Sequence, residues 1–445
     1  MKQQEDIVSV RHPDYDAQSQ QRVIFKDVCA GTLALRAKGR AYLRKFPAEL
    51  PESYADRLQA STLHNLTEKT VQVMTGLVFQ SEIQLGADVP ADITTIAENI
   101  DNRGNHLNIF AREVFQKSFQ GHSVILVDAP DFTKARSLED ERRLKLRPYW
   151  IHYEADQVIN WQTRVNPVSK STELSLIVLK EVTRERAGRF AVGEVTRYRA
   201  LFLTDAGTVG WELWREIPKA AGLNNKFELV SEGSGEIQKL LQIPVAVIYG
   251  KKRGELESSP ALLDLALANL RHYNKQSNYD NLLALACIPV PFTKGMESVD
   301  ADEKLAFGAD ILMKLSENGD FGWASVDSGA FESLRLDLKD LEDQMATLGL
   351  SMLADENASV DVTATEALLN SIGETAELRV MAESLKDALE LALGFTAEYM
   401  GMGADAGGSI ELGTAWENAE RIAVDVTAAP LPPAQETEQV DVLVN

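Results

Sequence analysis

The spacing of apolar residues divides the chain into segments that favour helix and segments that favour strand. Up to residue 120, apolar positions recur every three or four residues, which predicts a series of helices, one of them continuous over residues 52–77. Residues 81–105 are predicted to form a loop with one short helix, and residues 122–130 a strand. Between residues 148 and 250 the apolar period changes to two and the connections are too short for crossover helices. This middle segment therefore predicts mostly antiparallel β-structure.

Residues 258–291 predict a helix long enough to organise the second half of the chain. Ser259 is a suitable N-cap, and Pro260 fits the first helical position, where a missing N–H costs nothing. Apolar residues then recur at helical spacing until Pro289 and Pro291 end the pattern. About 27 residues at about 1.5 Å each give a length of roughly 40 Å, which is long for a globular domain.

A second long helix is predicted over residues 331–353 by a seam of apolar side chains. Their spacing alternates between four and three, which is the a/d pattern of a coiled coil. The seam consists of Leu334, Leu338, Leu341, Met345, Leu348 and Met352. So narrow a stripe favours packing against a single partner helix. The pattern does not distinguish a helix of a neighbouring subunit from one of the same chain.

The end of the chain predicts a third long helix and a tail. Thr363 and Glu366 form the T-x-x-E pattern of a capping box, and the helix they begin would run to Gly401. The last residues are rich in Pro and acidic side chains and contain few core formers. Residues 427–445 are therefore predicted to be disordered.

Composition restricts the class of protein. The chain has 445 residues, 44% of them hydrophobic, which is enough for a large core and two or three subdomains. Its 45 Lys and Arg face 67 Asp and Glu, and the formal charge is −22. Tight binding to nucleic acid needs clustered cations, so this balance argues against it while allowing nucleic acid to slide past. No apolar run approaches the length of a membrane span.

A search for catalytic chemistry finds no recognisable constellation. The six histidines do not pair with each other or with a cysteine at metal-ligand spacing, and no phosphate-binding loop or nucleophile elbow is present. We therefore predict no metal, no cofactor and no enzymatic activity. Basic clusters at 142–147 and 251–253 favour a solvated connector, with a docking surface for an acidic partner or a transient phosphate contact as alternatives. An enzyme with a site dispersed along the sequence remains an alternative.

Four stretches, taken together, resemble the portal proteins of tailed bacteriophages. They are residues 42–79, residues 110–130 with 147–161, residues 258–295, and residues 338–353 with 362–368. In particular the chain is similar to a portal-like family first catalogued only as a phage domain of unknown function. The resemblance extends over about residues 15 to 400. The segment from 148 to 250 is the least closely matched part.

The resemblance implies an α+β fold of the portal type, with long stem, tunnel and crown helices and a mostly antiparallel β wing and clip region. The implied regions are an N-terminal helical and wing region (1–147), a β-rich clip and wing region (148–257), a stem helix (258–291), wing strands with the seam helix and a tunnel loop (292–362), crown helices (363–426) and the disordered tail (427–445). The tunnel loop would be either 318–330 or 354–361.

The resemblance also implies a function. Portal proteins form a ring of about twelve subunits at one capsid vertex. The ring is the head–tail connector and the conduit for double-stranded DNA during packaging and ejection. Its partners would be the terminase large subunit, a head-completion adaptor, and the major capsid and scaffold proteins, without any membrane. The protein would assemble in the host bacterial cytoplasm and reside in the virion. The alternative is another ring-forming phage structural or adaptor protein.

Some residues receive a role only through this resemblance. Those expected to line the DNA channel are Arg271, His272 and Lys275 on the long helix, and Asn318, Asp320 and Asp327. The six seam residues are the candidate subunit interface. Twelve copies carry 12 × −22 = −264 formal charges, so the contact with DNA is expected to be weak and non-specific.

The tail gives the first testable prediction. Because residues 428–445 cannot bury enough apolar surface to offset about 1–2 kcal/mol of backbone entropy per residue, truncation after Thr427 should leave thermal unfolding and ring assembly unchanged. Calorimetry and light scattering on the truncated chain measure both. A truncated chain that cannot assemble would show that the tail belongs to the folded core.

Overall fold

The computed structural model describes residues 7–130, 146–166, 169–217, 226–237, 240–286, 290–294, 320–324, 328–350 and 376–416. The chain forms two compact units. The first unit takes residues 1–22, 71–261 and 351–445, and the second takes residues 23–70 and 262–350. The chain therefore enters the second unit twice.

Both units contain helices and antiparallel strands, so the fold is α+β, as the sequence predicts. The helices are α1 (Pro13–Cys29), α2 (Thr32–Lys38), α3 (Pro51–Ala60), α4 (Leu66–Val78), α5 (Ala91–Ala97), α6 (Leu107–Ser118), α7 (Leu263–Ala286), α8 (Ser328–Leu350) and α9 (Glu377–Tyr399). The strands are β1 (Ser81–Leu85), β2 (His122–Asp128), β3 (Tyr149–Glu154), β4 (Val158–Val165), β5 (Thr172–Arg186), β6 (Val192–Leu203), β7 (Val209–Ile217), β8 (Lys226–Ile237), β9 (Val245–Tyr249), β10 (Lys251–Gly254), β11 (Glu257–Ser259), β12 (Val290–Lys294), β13 (Asp320–Ala324) and β14 (Ile410–Gly413).

The first unit is built around antiparallel sheets. Strands β4 to β8 form a five-stranded meander in sequence order, and β2 lies between β3 and β9 in a three-stranded sheet. Helix α9 packs on β2 and β9, and the indole Nε1 of Trp150 donates a 2.9 Å hydrogen bond to Thr396 Oγ1 on that helix. The period of two between residues 148 and 250 therefore predicts this sheet region correctly.

The second unit is built on the antiparallel pair α7 and α8. Lys275 pairs with Asp337, and His272 Nε2 lies 3.0 Å from Glu342 Oε1, so the two helices run in opposite directions. Near the end of α8, a Cβ added at Gly349 would lie only 3.1 Å from Thr70 Oγ1. The absence of a side chain at this position lets the helix end approach α4 closely.

A small core attaches the N-terminal helices of the second unit to α7. It contains the buried side chains of Leu35, Leu43, Tyr54 and Tyr273. On α7, the amide of Asn269 accepts a hydrogen bond from the Thr67 hydroxyl and donates one to the His64 carbonyl. The polar middle of α7 is thus used for contacts inside this unit.

Two sequence predictions for the first hundred residues are wrong. The segment 52–77 forms two helices, because Ser61 takes an extended conformation and Asn65 Oδ1 accepts the Glu68 N–H to begin α4 anew. The predicted loop after it contains strand β1, which pairs with β14. That pairing joins residues more than 300 positions apart, so no local pattern indicates it.

The long helices agree with the prediction where they are described. Helix α7 lies inside the predicted range 258–291, and α8 overlaps the seam. Helix α9 corresponds to the second half of the third predicted helix. Its proposed capping box at Thr363 and Glu366 lies outside the described residues.

The burial of the seam gives a matched pair of substitutions on α8. Leu341 is buried, whereas Leu336 on the same helix is 49% exposed. In the dissociated chain, Leu341→Asp should lower the free energy of unfolding by several kcal/mol because it buries an unpaired charge, and Leu336→Asp should leave it almost unchanged. Urea unfolding followed by circular dichroism measures both. Equal midpoints for the two variants would contradict the packing of α8 described above.

Candidate functional site

The structure distributes the predicted channel-lining residues between surface and interior. Arg271 is exposed, and Lys275 is half-buried with its ammonium paired to Asp337. His272 is only 2% exposed and faces Glu342, so this side chain cannot line a channel surface. Asp320 is exposed at the start of β13.

The other two residues of that prediction, Asn318 and Asp327, lie outside the described residues. A channel-lining role for the predicted residues other than His272 stays a prediction.

The seam residues are mostly covered within one chain. Leu338, Leu341 and Met345 are buried, and Leu334 and Leu348 are half-buried. Met352 lies outside the part of the chain that is described. Of the two alternatives left open by the sequence, the structure shows the internal one, because α8 packs against α7 of the same unit. A contact of the seam with a neighbouring subunit stays a prediction.

A basic surface that the sequence analysis did not single out lies on the second unit. Two adjoining depressions, of about 540 and 480 Å³, share the side chains of Tyr42, Arg44, Phe46 and Asn274. Five cations line them. Lys275 pairs with Asp337, and the other four, Arg40, Arg44, Lys45 and Arg271, are called the basic patch below. Within the described residues none of these four forms an ion pair.

Asn274 attaches the segment that carries the patch to helix α7. Its Nδ2 donates to the Tyr42 carbonyl at 2.7 Å, and its Oδ1 accepts the Arg44 N–H at 3.1 Å. The Tyr42 hydroxyl in turn donates to Asp27 Oδ2 at 2.6 Å, and burial, together with this bond, raises the pKa of Tyr42. One amide therefore fixes the backbone on both sides of Leu43.

A buried ion pair holds the same segment from the other side. Arg57 Nε and Nη2 donate to the two carboxylate oxygens of Glu49 at 2.7 and 2.9 Å, with both side chains less than a tenth exposed. Arg57 Nη2 also donates to the Arg44 carbonyl at 2.7 Å, and the guanidinium lies 4.8 Å from the centre of the Phe46 ring. The hydrogen bonds from Arg57 lower the pKa of Glu49.

The other basic clusters are engaged locally where they are described. Lys251 forms an ion pair with Glu377. Lys252 Nζ lies 3.8 Å from Glu255 Oε2, and Arg253 Nε donates a hydrogen bond to Ser259 Oγ. Arg147 donates to the carbonyl of Asn99. The spacing of Arg40, Arg44 and Lys45 in the sequence is a signal from which most of the basic patch could have been predicted. Arg271 joins these residues only in the folded chain.

A serine–histidine contact in the first unit has no access to solvent. His122 Nδ1 lies 2.8 Å from Ser258 Oγ, and both residues are buried. Burial, with a smaller contribution from the nearby Arg22 charge, lowers the pKa of His122 to about 3. Because a substrate cannot reach this pair, its geometry describes core packing.

The described residues contain no group of three metal-ligating side chains suited to a metal ion. In the same part of the chain, no helix combines the length and apolar character needed to cross a membrane.

Comparison with known proteins gives one family match and several distant structural likenesses. Residues 261–400 match a family described as a domain of unknown function (DUF4055). This span begins just before α7 and includes α8 and α9. No curated protein matches the chain.

Two of the similar solved structures come from one kind of particle. A chain in the virion of a native gene transfer agent particle is 10% identical, with a TM-score of 0.41, over 89% of this chain and 95% of that one. A chain in the neck of a native gene transfer agent particle, computed with C12 symmetry, is 11% identical, with a TM-score of 0.42, over 90% of this chain and 96% of that one.

The buried ion pair beneath the patch leads to a stability prediction. Arg57→Ala leaves the Glu49 carboxylate buried without its partner and should lower the free energy of unfolding by about 3–5 kcal/mol. Arg335→Ala is the control, because its ion pair with Glu332 is exposed and should contribute little. Urea unfolding at neutral pH measures the difference.

The pH dependence of the same variant provides a second test. A pKa lowered by folding means that the pair contributes fully above the ordinary Glu pKa of 4.5 and loses this contribution as the pH falls through the folded value. The difference in the free energy of unfolding between wild type and Arg57→Ala should therefore become smaller in acid. If this difference is the same at every pH, Glu49 is not ionised in the folded chain.

Proposed function

We propose that this chain is a phage portal protein, which forms a ring at one capsid vertex and conducts DNA during packaging and ejection. The observation that carries the proposal is the order of the four stretches that resemble portal proteins. Residues 42–79 contain α3 and α4, residues 110–130 contain β2 and most of α6, and residues 258–295 contain α7 and β12. The stretch 338–353 contains the second half of α8.

The surface of the second unit supports an assembly of several copies. Large apolar side chains are exposed on both long helices, namely Leu267, Leu282 and Leu283 on α7 and Leu336 on α8. Single exposed apolar residues are ordinary, but several on one helix pair favour a contact with another protein surface. Ring formation would cover such side chains.

The charge of the chain suits a conduit. Each phosphate neutralised by a protein cation adds affinity that translocation must then overcome. A ring of about twelve copies would carry a large negative charge and repel the duplex along its path, so DNA would slide without being held. Exposed acidic residues such as Asp320 would belong to such a lining.

Mass and shape in solution test the proposal. Light scattering should find a species near 12 × 49.1, or about 590 kDa, and negative-stain microscopy should show rings with a central hole. The rings should also bind a terminase large subunit, which a ring-forming adaptor would not do. A chain that stays monomeric, or forms only a compact small oligomer, at every concentration and salt would overturn the proposal.

A further inference from the structure

The basic patch brings together four cations that have no ion pair among the described residues, in a chain with 67 Asp and Glu. Other cations, such as Lys275 and Arg199, do pair with a carboxylate. Arg40 and Arg44 are exposed and Lys45 is half-exposed, and among the described residues none of them lies within ion-pair distance of a carboxylate. The backbone of Arg44 is held on both sides, because its N–H donates to Asn274 Oδ1 and its carbonyl accepts from Arg57 Nη2. Unpaired cations on a fixed backbone are suited to binding an acidic partner.

The apolar neighbours of the patch favour a protein partner over a nucleic acid. Phe46 lines both depressions and is 39% exposed, and Leu50, four residues further along, is 64% exposed. A phosphate backbone gains nothing by covering Leu50, whereas Arg and aromatic side chains next to apolar ones are typical of protein interfaces. The partner surface should therefore combine carboxylates with an apolar contact.

The outward face of α8 has this combination. Leu336, Asp340 and Asp343 lie four and three residues apart, which places them on one side of the helix, away from the buried seam. All three are exposed, and within the described residues neither carboxylate forms an ion pair. We call these three residues the acidic face.

We infer that the basic patch of one copy docks on the acidic face of α8 in the next copy. Because the two surfaces differ, the contact is heterologous, and repeating it generates a ring when the rotation closes. The inference rests on the proposed function, since it needs more than one copy. It also explains how chains of charge −22 associate, because local complementary charges offset the overall repulsion. Arg271, at the edge of the patch, then faces the neighbouring copy.

A charge exchange tests the contact directly. Arg44→Glu with Lys45→Glu, and separately Asp340→Lys with Asp343→Lys, should each weaken assembly at least about tenfold, because like charges then face each other. The four substitutions together restore opposite charges and should recover most of the assembly. Light scattering and sedimentation velocity over a protein dilution series, at low and high salt, measure all forms of the full chain.

The controls separate a local effect from a change in total charge or fold. Lys69→Glu with Arg103→Glu makes the same change of charge at two exposed residues outside both surfaces and should assemble as the wild type does. Arg44→Gln with Lys45→Gln removes the charges without reversing them and should give a smaller loss. Circular dichroism, and urea unfolding at concentrations where the chains are dissociated, should be the same for every variant, because all the exchanged side chains lie at the surface.

Each outcome decides between specific alternatives. Unchanged rings from both reversed pairs, or no recovery in the combined variant, would overturn the inference while leaving the proposed ring in place. A wild-type chain that forms no ring overturns the proposed function and the inference together. If Arg44→Glu with Lys45→Glu leaves the ring intact but abolishes binding of a labelled DNA duplex, the patch serves nucleic acid and the protein contact is wrong.

Discussion

The ion pair between Arg57 and Glu49 is the contact on which the surface of the second unit depends. A guanidinium buried this deeply needs every donor satisfied, and its partners belong to different parts of the unit. Besides Glu49, Arg57 reaches the carbonyl of Arg44 and the hydroxyl of Ser277 on α7. The requirement to pair one buried charge thus fixes helix α3, the segment before it and the long helix with respect to each other. Arg44 and Lys45 of the basic patch project from the segment that this network holds.

Local sequence pattern was sufficient to predict most of the helices and strands. The period of two predicted the antiparallel strands from β3 to β9, and apolar spacing predicted α7 and α8, because in both cases one face of the element meets a core. Apolar spacing failed for β1 and for the break before α4, where hydrogen bonds determine the element. Strand β1 exists because β14 pairs with it, and helix α4 begins where Asn65 caps it.

The side chains of the candidate site were likewise not predictable from local sequence pattern. Arg271, His272 and Lys275 are close together in sequence, and a resemblance alone gave them one role. Helical geometry instead turns Arg271 to solvent, buries His272 against α8 and pairs Lys275 with Asp337. The basic patch was not predicted because Arg271 joins Arg40, Arg44 and Lys45 only after α7 packs on the N-terminal helices. Which cations stay unpaired depends on where carboxylates lie in space, and sequence spacing does not contain that information.

The buried His122 gives the first unit a one-sided response to acid. The folded pKa of His122 is about 3, well below the ordinary value of 6.5. Between these two pH values the imidazole stays neutral inside the protein, while the same group in an unfolded chain takes up a proton. Above the ordinary pKa the two states bind protons equally and this residue does not affect stability. As the medium becomes more acidic, protonation favours the unfolded chain, and the penalty grows until the folded pKa is reached. A particle that contained this protein would therefore have one component in which a single buried imidazole makes the folded state less stable in acid and has no such effect above its ordinary pKa.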